Sequence, residues 1–220
     1  MSSRFLEIHP QNPQPRLIRQ AAEIIRDGGV VVYPTDSLYA LGCALGEKDA
    51  MERIRRLRAA DKNHNFTLVC RDLSEIAHYA RVSNQQYRWL RALTPGPYTF
   101  LLQATRETPK RLQNPKRRTI GLRIPAHPVP QMILAELGEP IMSSTLLLPG
   151  DEQPMTNARE IEERLTHIVD AVIDGGNCGL EPTSVVDLVG EAPVVVRHGK
   201  GDVSAFESRS AAVTAPPSCV

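Results

Sequence analysis

Short apolar runs alternate with amphipathic helical patterns along most of the chain, and this alternation limits the possible folds more than any other feature. A helical pattern over residues 16–27 ends at Gly28-Gly29 and leads into the apolar run 30–33. Further strands are predicted at 66–70, 98–103, 119–124, 140–144, 169–173, 184–188 and 194–197, and further helices at 50–58, 73–79, 129–137 and after the caps Ser83 and Asn157. The helix after Asn157 is expected to carry Ile161, Leu165 and Ile168. Because some neighbouring strands are close enough to form hairpins, we expect an α/β fold: a single domain with a twisted mixed sheet flanked by helices.

Length and composition favour one compact domain. A chain of 220 residues with 41% hydrophobic residues can bury a substantial core. We expect this domain to span residues 1–206, because no internal repeat is present and residues 207–220 are small, polar and proline-containing, as in a disordered tail.

Charge and cysteine content exclude several protein classes. The 26 Lys and Arg nearly balance the 25 Asp and Glu, so the total charge demands no polyanionic partner, although a neutral total can hide a basic face. Neither the four cysteines nor the six histidines have metal-ligand spacing, which predicts no metal site and no disulfide framework. No apolar run is long enough to span a membrane. We expect a soluble cytoplasmic protein with no membrane partner.

Hydroxyl side chains recur where predicted strands give way to loops. They are Thr35, Ser37, Ser143, Ser144, Thr145, Thr183 and Ser184, and Arg58, Arg123 and Arg197 lie near other strand or helix ends. Hydroxyls and guanidinium groups suit phosphate or carboxylate oxygens, so a small anionic ligand is the natural candidate. Each hydroxyl taken singly is more often a helix cap or a turn residue. Asp36 and Asp187 are compatible with Mg²⁺ binding or with a catalytic base, and Asp36 equally with a turn.

A second constellation is basic. Lys110, Arg111, Lys116, Arg117 and Arg118 fall within nine residues, a density that can neutralise several phosphates of a nucleic acid. A solvated surface is the favoured alternative, because no aromatic residues are interleaved with these charges. The chain has neither a phosphate-binding P-loop motif nor the nucleophile elbow of serine hydrolases.

The segment YPTDSLYALGC resembles the P-T-D-T-x-Y-G-L-G-C signature of the YrdC-like family, whose members include threonylcarbamoyl-AMP synthases. Four more segments resemble family motifs in the same order: 94–99, 121–125, 182–187 and 197–199. The opening pattern F-x-x-I-H-P-x-N-P-Q-x-R is similar to that of the YciO branch. The order and spacing of these motifs hold from about Arg16 to Val203, which is nearly the whole chain.

The resemblance implies a YrdC-like fold and a pocket for ATP or AMP and threonine. Synthases of the family condense L-threonine, bicarbonate and ATP with Mg²⁺, so ATP is expected as a substrate and no tightly bound cofactor is implied. By resemblance, the residues that bind the substrate and the nucleotide are Thr35, Ser37, His64, Arg123, Ser143, Ser184 and Arg197. The family is also associated with double-stranded RNA binding, to which Lys110, Arg111, Lys116, Arg117 and Arg118 are expected to contribute.

The chain departs from the family at its K-R-S-N tetrad. Alignment places Arg58 on the lysine, Ala60 on the arginine, Thr145 on the serine and Leu147 on the asparagine. Arg58 and Thr145 therefore hold the catalytic positions, but one cation and one amide are lost. These changes predict weak or altered synthase activity. The alternative is an RNA- or ribosome-binding module without catalysis.

Overall fold

The computed structural model describes residues 3–59 and 66–207. The described strands are β1 Arg4–Glu7, β2 Val31–Tyr33, β3 Ala40–Ala44, β4 Thr67–Val69, β5 Ala80–Arg81, β6 Tyr98–Ala104, β7 Thr119–Arg123, β8 Ile141–Thr145, β9 Ala171–Asp174, β10 Ser184–Asp187 and β11 Val194–Arg197. The described α-helices are α1 Pro15–Arg26, α2 Lys48–Leu57, α3 Leu73–Tyr79, α4 Asn84–Leu93, α5 Pro128–Leu137 and α6 Ala158–Leu165, and a 3₁₀ turn spans Lys110–Leu112.

All of these strands belong to one mixed sheet. Its order is β1-β9-β2-β3-β8-β4-β7-β6-β10-β11, with β5 pairing outside this path with β6. The sheet contains parallel pairs, such as β1/β9 and β4/β7, and antiparallel pairs, such as β2/β3 and β6/β7. The predicted α/β domain with a mixed sheet flanked by helices is therefore confirmed.

The structure differs from the prediction at three strands and at the end of one helix. The strands β1, β3 and β5 were not predicted; β3, for example, has the sequence ALGCA, which contains no β-branched residue and extends only because β2 and β8 hydrogen-bond to its two edges. The helix capped by Asn157 was expected to carry Ile168, but α6 ends at Leu165. The backbone leaves the helical region at Thr166, with a ψ of 138°, and His167 follows with a φ of 68°; Ile168 is 41% exposed.

The two faces of the sheet are covered differently. Helices α2, α3, α4 and α6 pack on one face around a large apolar core. On the other face, α1 and α5 pack over β1, β9, β2 and β3, where they bury side chains such as Val31 and Ile173. We call this region the covered half. Beyond it, the same face of β4, β7, β6 and β10 forms the open half.

Near the end of the described chain, Phe206 is buried and its ring lies 4.5 Å from that of Trp89 on α4. Residues 208–220, which include nearly all of the predicted tail, lie outside the described part. Within residues 3–59 and 66–207, no helix combines the length and the hydropathy needed to cross a bilayer.

Candidate functional site

A cavity of about 500 Å³ lies on the open half of the sheet. Its floor is formed by alternate residues of neighbouring strands, namely Thr67 and Val69 of β4, Gly121 and Arg123 of β7, and Thr99 and Leu101 of β6. Successive side chains of a strand point to opposite faces, so the intervening Leu68, Leu122 and Phe100 enter the core on the other side. The cavity therefore occupies the part of the face that α1 and α5 leave bare.

Arg123 is anchored beneath the P-T-D segment. Its guanidinium forms an ion pair with Asp36, and both side chains are about nine-tenths buried, at 10% and 11% exposed. Arg123 Nη2 also donates to Thr35 Oγ1 at 3.3 Å. The Thr35 hydroxyl donates in turn to the Leu38 carbonyl at 2.6 Å and lies 3.1 Å from Ser37 Oγ. Thr35 and Ser37 are thus buried supports of Arg123 and are not among the side chains that line the cavity.

Two further guanidinium groups line the cavity walls. Arg58 follows α2 and donates to Ser144 Oγ at 2.7 Å. Arg197 ends β11 and donates twice to the Thr183 carbonyl, at 2.8 and 3.1 Å. Burial, and then the charge of Arg197, lower the pKa of Arg58; burial, and then the charge of Arg123, lower the pKa of Arg197. Like charges in one cavity repel, so an anionic ligand would stabilise all three.

The buried hydroxyls of the site are connected to the sheet by hydrogen bonds. Tyr33 donates to Ser143 Oγ at 2.8 Å, and Ser143 donates to the Leu41 carbonyl at 3.1 Å. Burial raises the pKa of Tyr33 to about 12, so its phenol stays a neutral donor at physiological pH. The hydroxyls of Thr99 and Thr183 lie 3.0 Å apart. These bonds fix the orientation of the groups in and around the cavity.

Ser184 lies next to the site but points away from it. Its hydroxyl is completely buried, donates to the Gly201 carbonyl at 2.6 Å and accepts from the Gly199 backbone N–H at 3.1 Å. It is not among the side chains that line the cavity, whereas the preceding residue, Thr183, is. Ser184 therefore holds the chain after β11 against β10.

Apolar and acidic side chains complete the cavity wall. Leu38, Leu180 and Val196 contribute apolar surface, and so does Leu147, which the resemblance aligns with the family's asparagine. Glu152, in the connection between β8 and α6, also lines the cavity. The site thus combines guanidinium groups, hydroxyls, aliphatic surface and one carboxylate.

The structure brings most of the predicted site residues together. Arg58, Arg123, Ser143, Thr145 and Arg197 all line the cavity. Thr35 and Ser37 lie in the layer behind it, Ser184 lies outside it, and His64 and Ala60 fall outside the described residues.

Sequence reasoning missed Thr67, Thr99, Leu38, Leu180 and Glu152, which also line the cavity. A signal for the floor does exist in the sequence TIGLRI at 119–124, where apolar residues alternate with threonine, glycine and arginine. Such alternation is typical of a strand with only one face in the core.

The predicted RNA-binding residues lie in the connection between β6 and β7. This connection leads into Thr119, the first residue of β7, whereas Arg123 is the last residue of that strand. All five side chains, those of Lys110, Arg111, Lys116, Arg117 and Arg118, are exposed. Arg111 donates to the Gly46 carbonyl, and Arg117 forms an ion pair with Asp187.

Both aspartates that the sequence offered for Mg²⁺ are engaged in ion pairs, Asp36 with Arg123 and Asp187 with Arg117. Within residues 3–59 and 66–207, no three histidine, cysteine or acidic side chains are grouped as metal ligands.

Comparisons with known proteins agree with this architecture. The family model Sua5_yciO_yrdC, described as telomere recombination, matches residues 23–199. The YciO protein of Escherichia coli strain K12 is 54% identical over 204 residues, which cover 93% of this chain and 99% of that protein. A threonylcarbamoyl-AMP synthase of Halorhodospira halophila is 30% identical over 180 residues, or 81% of this chain and 93% of the synthase.

Solved structures show the same fold. The crystal structure of E. coli YciO superposes with a TM-score of 0.89 at 54% identity and covers 93% of this chain and 99% of that one. The crystal structure of P. abyssi Sua5 in complex with L-threonine superposes with a TM-score of 0.84 at 23% identity, covering 93% of this chain and 60% of that one.

Proposed function

Because the chain belongs to the Sua5/YciO/YrdC family, we propose that its cavity binds an adenine nucleotide and a threonine-type amino acid, with weak or altered threonylcarbamoyl-AMP synthase activity. In that reaction L-threonine, bicarbonate and ATP give threonylcarbamoyl-AMP and pyrophosphate, a step related to the t6A modification of tRNA. ATP acts as a substrate, and its phosphates hold the Mg²⁺. No tightly bound cofactor is part of the proposal.

One observation carries this proposal: Arg58, Arg123 and Arg197, which are distant in sequence, line one cavity together with several hydroxyls. In the chemistry of the synthases, the amine captures CO₂ as a carbamate, whose oxygen attacks the α-phosphate. The protein must position the reactants and neutralise phosphate charge, which fixed guanidinium groups do. The H. halophila synthase and the threonine complex of Sua5 support the same choice of ligands.

Weak or altered activity is proposed because of Leu147. Its side chain lines the cavity at the position that the resemblance aligns with asparagine. Leucine offers neither the donor nor the acceptor of an amide, so hydrogen bonds to a nucleotide are lost there. Each loss of about 1.4 kcal/mol of transition-state stabilisation lowers the rate tenfold.

The direct test is pyrophosphate release from ATP with threonine and bicarbonate. We expect slow turnover, below the range of roughly 1–10³ s⁻¹ that is typical of enzymes. We also expect the substitution Leu147→Asn to raise the rate. Turnover within the typical range would contradict the weak activity. Binding of neither ATP nor AMP would contradict the nucleotide pocket.

Arg197 provides a test of the nucleotide site by binding alone. Replacing Arg197 with alanine removes the charge-assisted hydrogen bonds that its guanidinium would donate to AMP. We therefore expect the affinity for AMP, measured by calorimetry, to fall about tenfold or more. The matched control is Arg88→Ala, which removes an exposed arginine of α4 that does not line the cavity. Equal affinities of the two variants would exclude Arg197 from the site.

A second candidate function is binding of double-stranded RNA or ribosomes without catalysis. The exposure of the five basic residues between β6 and β7 favours it. We expect binding to structured RNA to weaken with salt and to weaken further when Lys116, Arg117 and Arg118 are replaced by alanine. Binding that responds to neither change would remove this candidate.

A further inference from the structure

Glu152 stands apart from the other charged groups of the cavity. Among the described residues that line it, Glu152 is the one acidic side chain, and it shares the cavity lining with the positive charges of Arg58, Arg123 and Arg197. A cavity that served only to attract phosphate would gain nothing from a carboxylate, because like charges repel. The presence of both signs is complementary to a ligand that itself carries both.

Glu152 is not used to neutralise an arginine of the site. Within the described part of the chain it forms no ion pair and no hydrogen bond, whereas Asp36 is already paired with Arg123. The carboxylate of Glu152 is therefore available to a ligand.

The backbone next to Glu152 is held in place. The neighbouring Asp151 binds Arg164 of α6 through both of its carboxylate oxygens, at 3.0 and 3.1 Å. The Asp151 backbone N–H also donates to the Leu148 carbonyl at 3.1 Å, and Gly150 makes the turn with a φ of 85°. A bidentate ion pair fixes geometry better than a single contact does. These contacts hold the backbone next to Glu152, whose own side chain is exposed and lines the cavity.

We propose that Glu152 binds the α-ammonium group of the amino-acid ligand, while the guanidinium groups bind anionic oxygens. This inference rests on the proposed function, since it takes the amino acid as given and names the residue that recognises its amine. A free amino acid is a zwitterion, so one carboxylate among several guanidinium groups matches its charge pattern. Glu152 is thereby a determinant of specificity for amines over ligands that carry only negative charge.

The test compares two ligands and two variants. L-Threonine and its α-hydroxy analogue, in which a hydroxyl replaces the ammonium, are titrated into the wild type and Glu152→Gln by calorimetry, and AMP and Mg²⁺-ATP are titrated separately into both. The matched control is Glu163→Gln, which removes an exposed glutamate of α6 that does not line the cavity. Glutamine keeps the size of the side chain but loses its charge.

We expect the wild type to prefer threonine over the hydroxy analogue, and Glu152→Gln to lose about two- to fivefold in threonine affinity, as for an exposed ion pair. The affinity for the hydroxy analogue should stay unchanged or rise slightly. Glu163→Gln should resemble the wild type for both ligands.

Equal threonine affinity in Glu152→Gln and the wild type would overturn the inference, as would an equal loss for both ligands. Loss of Mg²⁺-ATP binding with threonine binding intact would overturn it too, and would assign Glu152 to the metal. If the wild type binds AMP but no amino acid, the inference fails and the nucleotide site of the proposed function stands. If Glu152→Gln loses threonine selectively but the wild type binds neither AMP nor ATP, the inference stands and the proposed function fails.

Discussion

The covered and open halves of one sheet face differ in what their side chains do. In the covered half, Val31, Ala171 and Ile173 are completely buried against α1 and α5. In the open half, the equivalent positions of the strands carry threonine, glycine and arginine, as at Thr99 and Gly121, and line a cavity. The sheet is continuous across both halves, so the backbone alone does not create the site. The site lies where helices are absent and where threonine, glycine and arginine stand beside Val69 and Leu101.

The two halves are also held together by different interactions. Burial of apolar area stabilises the covered half at roughly 25 cal/mol per Å². In the open half, the Thr99–Thr183 hydrogen bond and the ion pair of Arg123 with Asp36 hold the side chains instead. Directional bonds of this kind orient groups for a ligand, but they leave a structure that is sensitive to the loss of one partner.

The largest effect on stability is expected at Arg123. Arg123→Met leaves the Asp36 carboxylate, 11% exposed, without its cation, so unfolding free energy should fall by about 3–5 kcal/mol in urea titrations. The double variant Asp36→Asn/Arg123→Met removes both charges and should lose less. If the single and double variants are equally destabilised, the ion pair does not hold the open half.

The next largest difference in stability between the two halves is expected when an aliphatic side chain is truncated in each. Ile25→Ala removes a completely buried side chain of α1 in the covered half and should cost about 2–5 kcal/mol of unfolding free energy. Leu180→Ala, at a cavity residue that is 56% exposed, should change stability by about 0.5 kcal/mol or less. Comparable losses in the two variants would erase the proposed difference.

Two glycines give a matched steric comparison. A Cβ added at Gly42 would lie 2.7 Å from both Ile141 Cγ2 and Tyr33 Cε1, so Gly42→Ala should destabilise by about 1–3 kcal/mol. At Gly121 the nearest atom would be Thr67 Oγ1 at 3.2 Å, on the cavity floor. Gly121→Ala should therefore cost less stability but weaken AMP binding. A larger stability loss for Gly121→Ala would contradict an open floor.

The smallest expected effect is a pH dependence in the covered half. Burial lowers the pKa of His127, whose Nδ1 accepts from the Val129 N–H at the start of α5. In the unfolded protein the pKa of His127 is 6.5. As the pH drops below that value, the unfolded state binds more protons than the folded state, so the unfolding free energy falls. The loss is complete below the pKa that His127 has in the folded protein.

The control for this titration is His127→Asn, which keeps a capping side chain but does not titrate. Urea unfolding at about pH 7.5 and about pH 5.5 should show a smaller pH-dependent loss in this variant than in the wild type. Identical losses would show that His127 does not contribute.

The sequence predicts the overall class well because most elements have strong local signals. β2 is rich in valine, and α1 has helical periodicity followed by Gly28-Gly29. The strand β3 could not be found in the same way, since ALGCA becomes a strand only through its neighbours β2 and β8. Tertiary pairing, rather than propensity, determines it.

The site was predicted less well, because the direction of a side chain depends on strand register. Thr183 and Ser184 are adjacent hydroxyl residues, yet Thr183 lines the cavity and Ser184 bonds to Gly201. A shift of one residue exchanges the two faces of a strand. The positions of Thr67 and Thr99 likewise follow from the pairing of β4 and β6 with β7, which no local motif specifies.

The most direct test of the comparison is an amide chemical-shift titration of the ¹⁵N-labelled protein with AMP. We expect perturbed amides to cluster in the open half, around Thr67, Thr99, Gly121, Ser144 and Arg197, with little change in α1. Shifts confined to the covered half or to the basic segment between β6 and β7, or no shifts at all, would contradict a nucleotide site on the open half of the sheet.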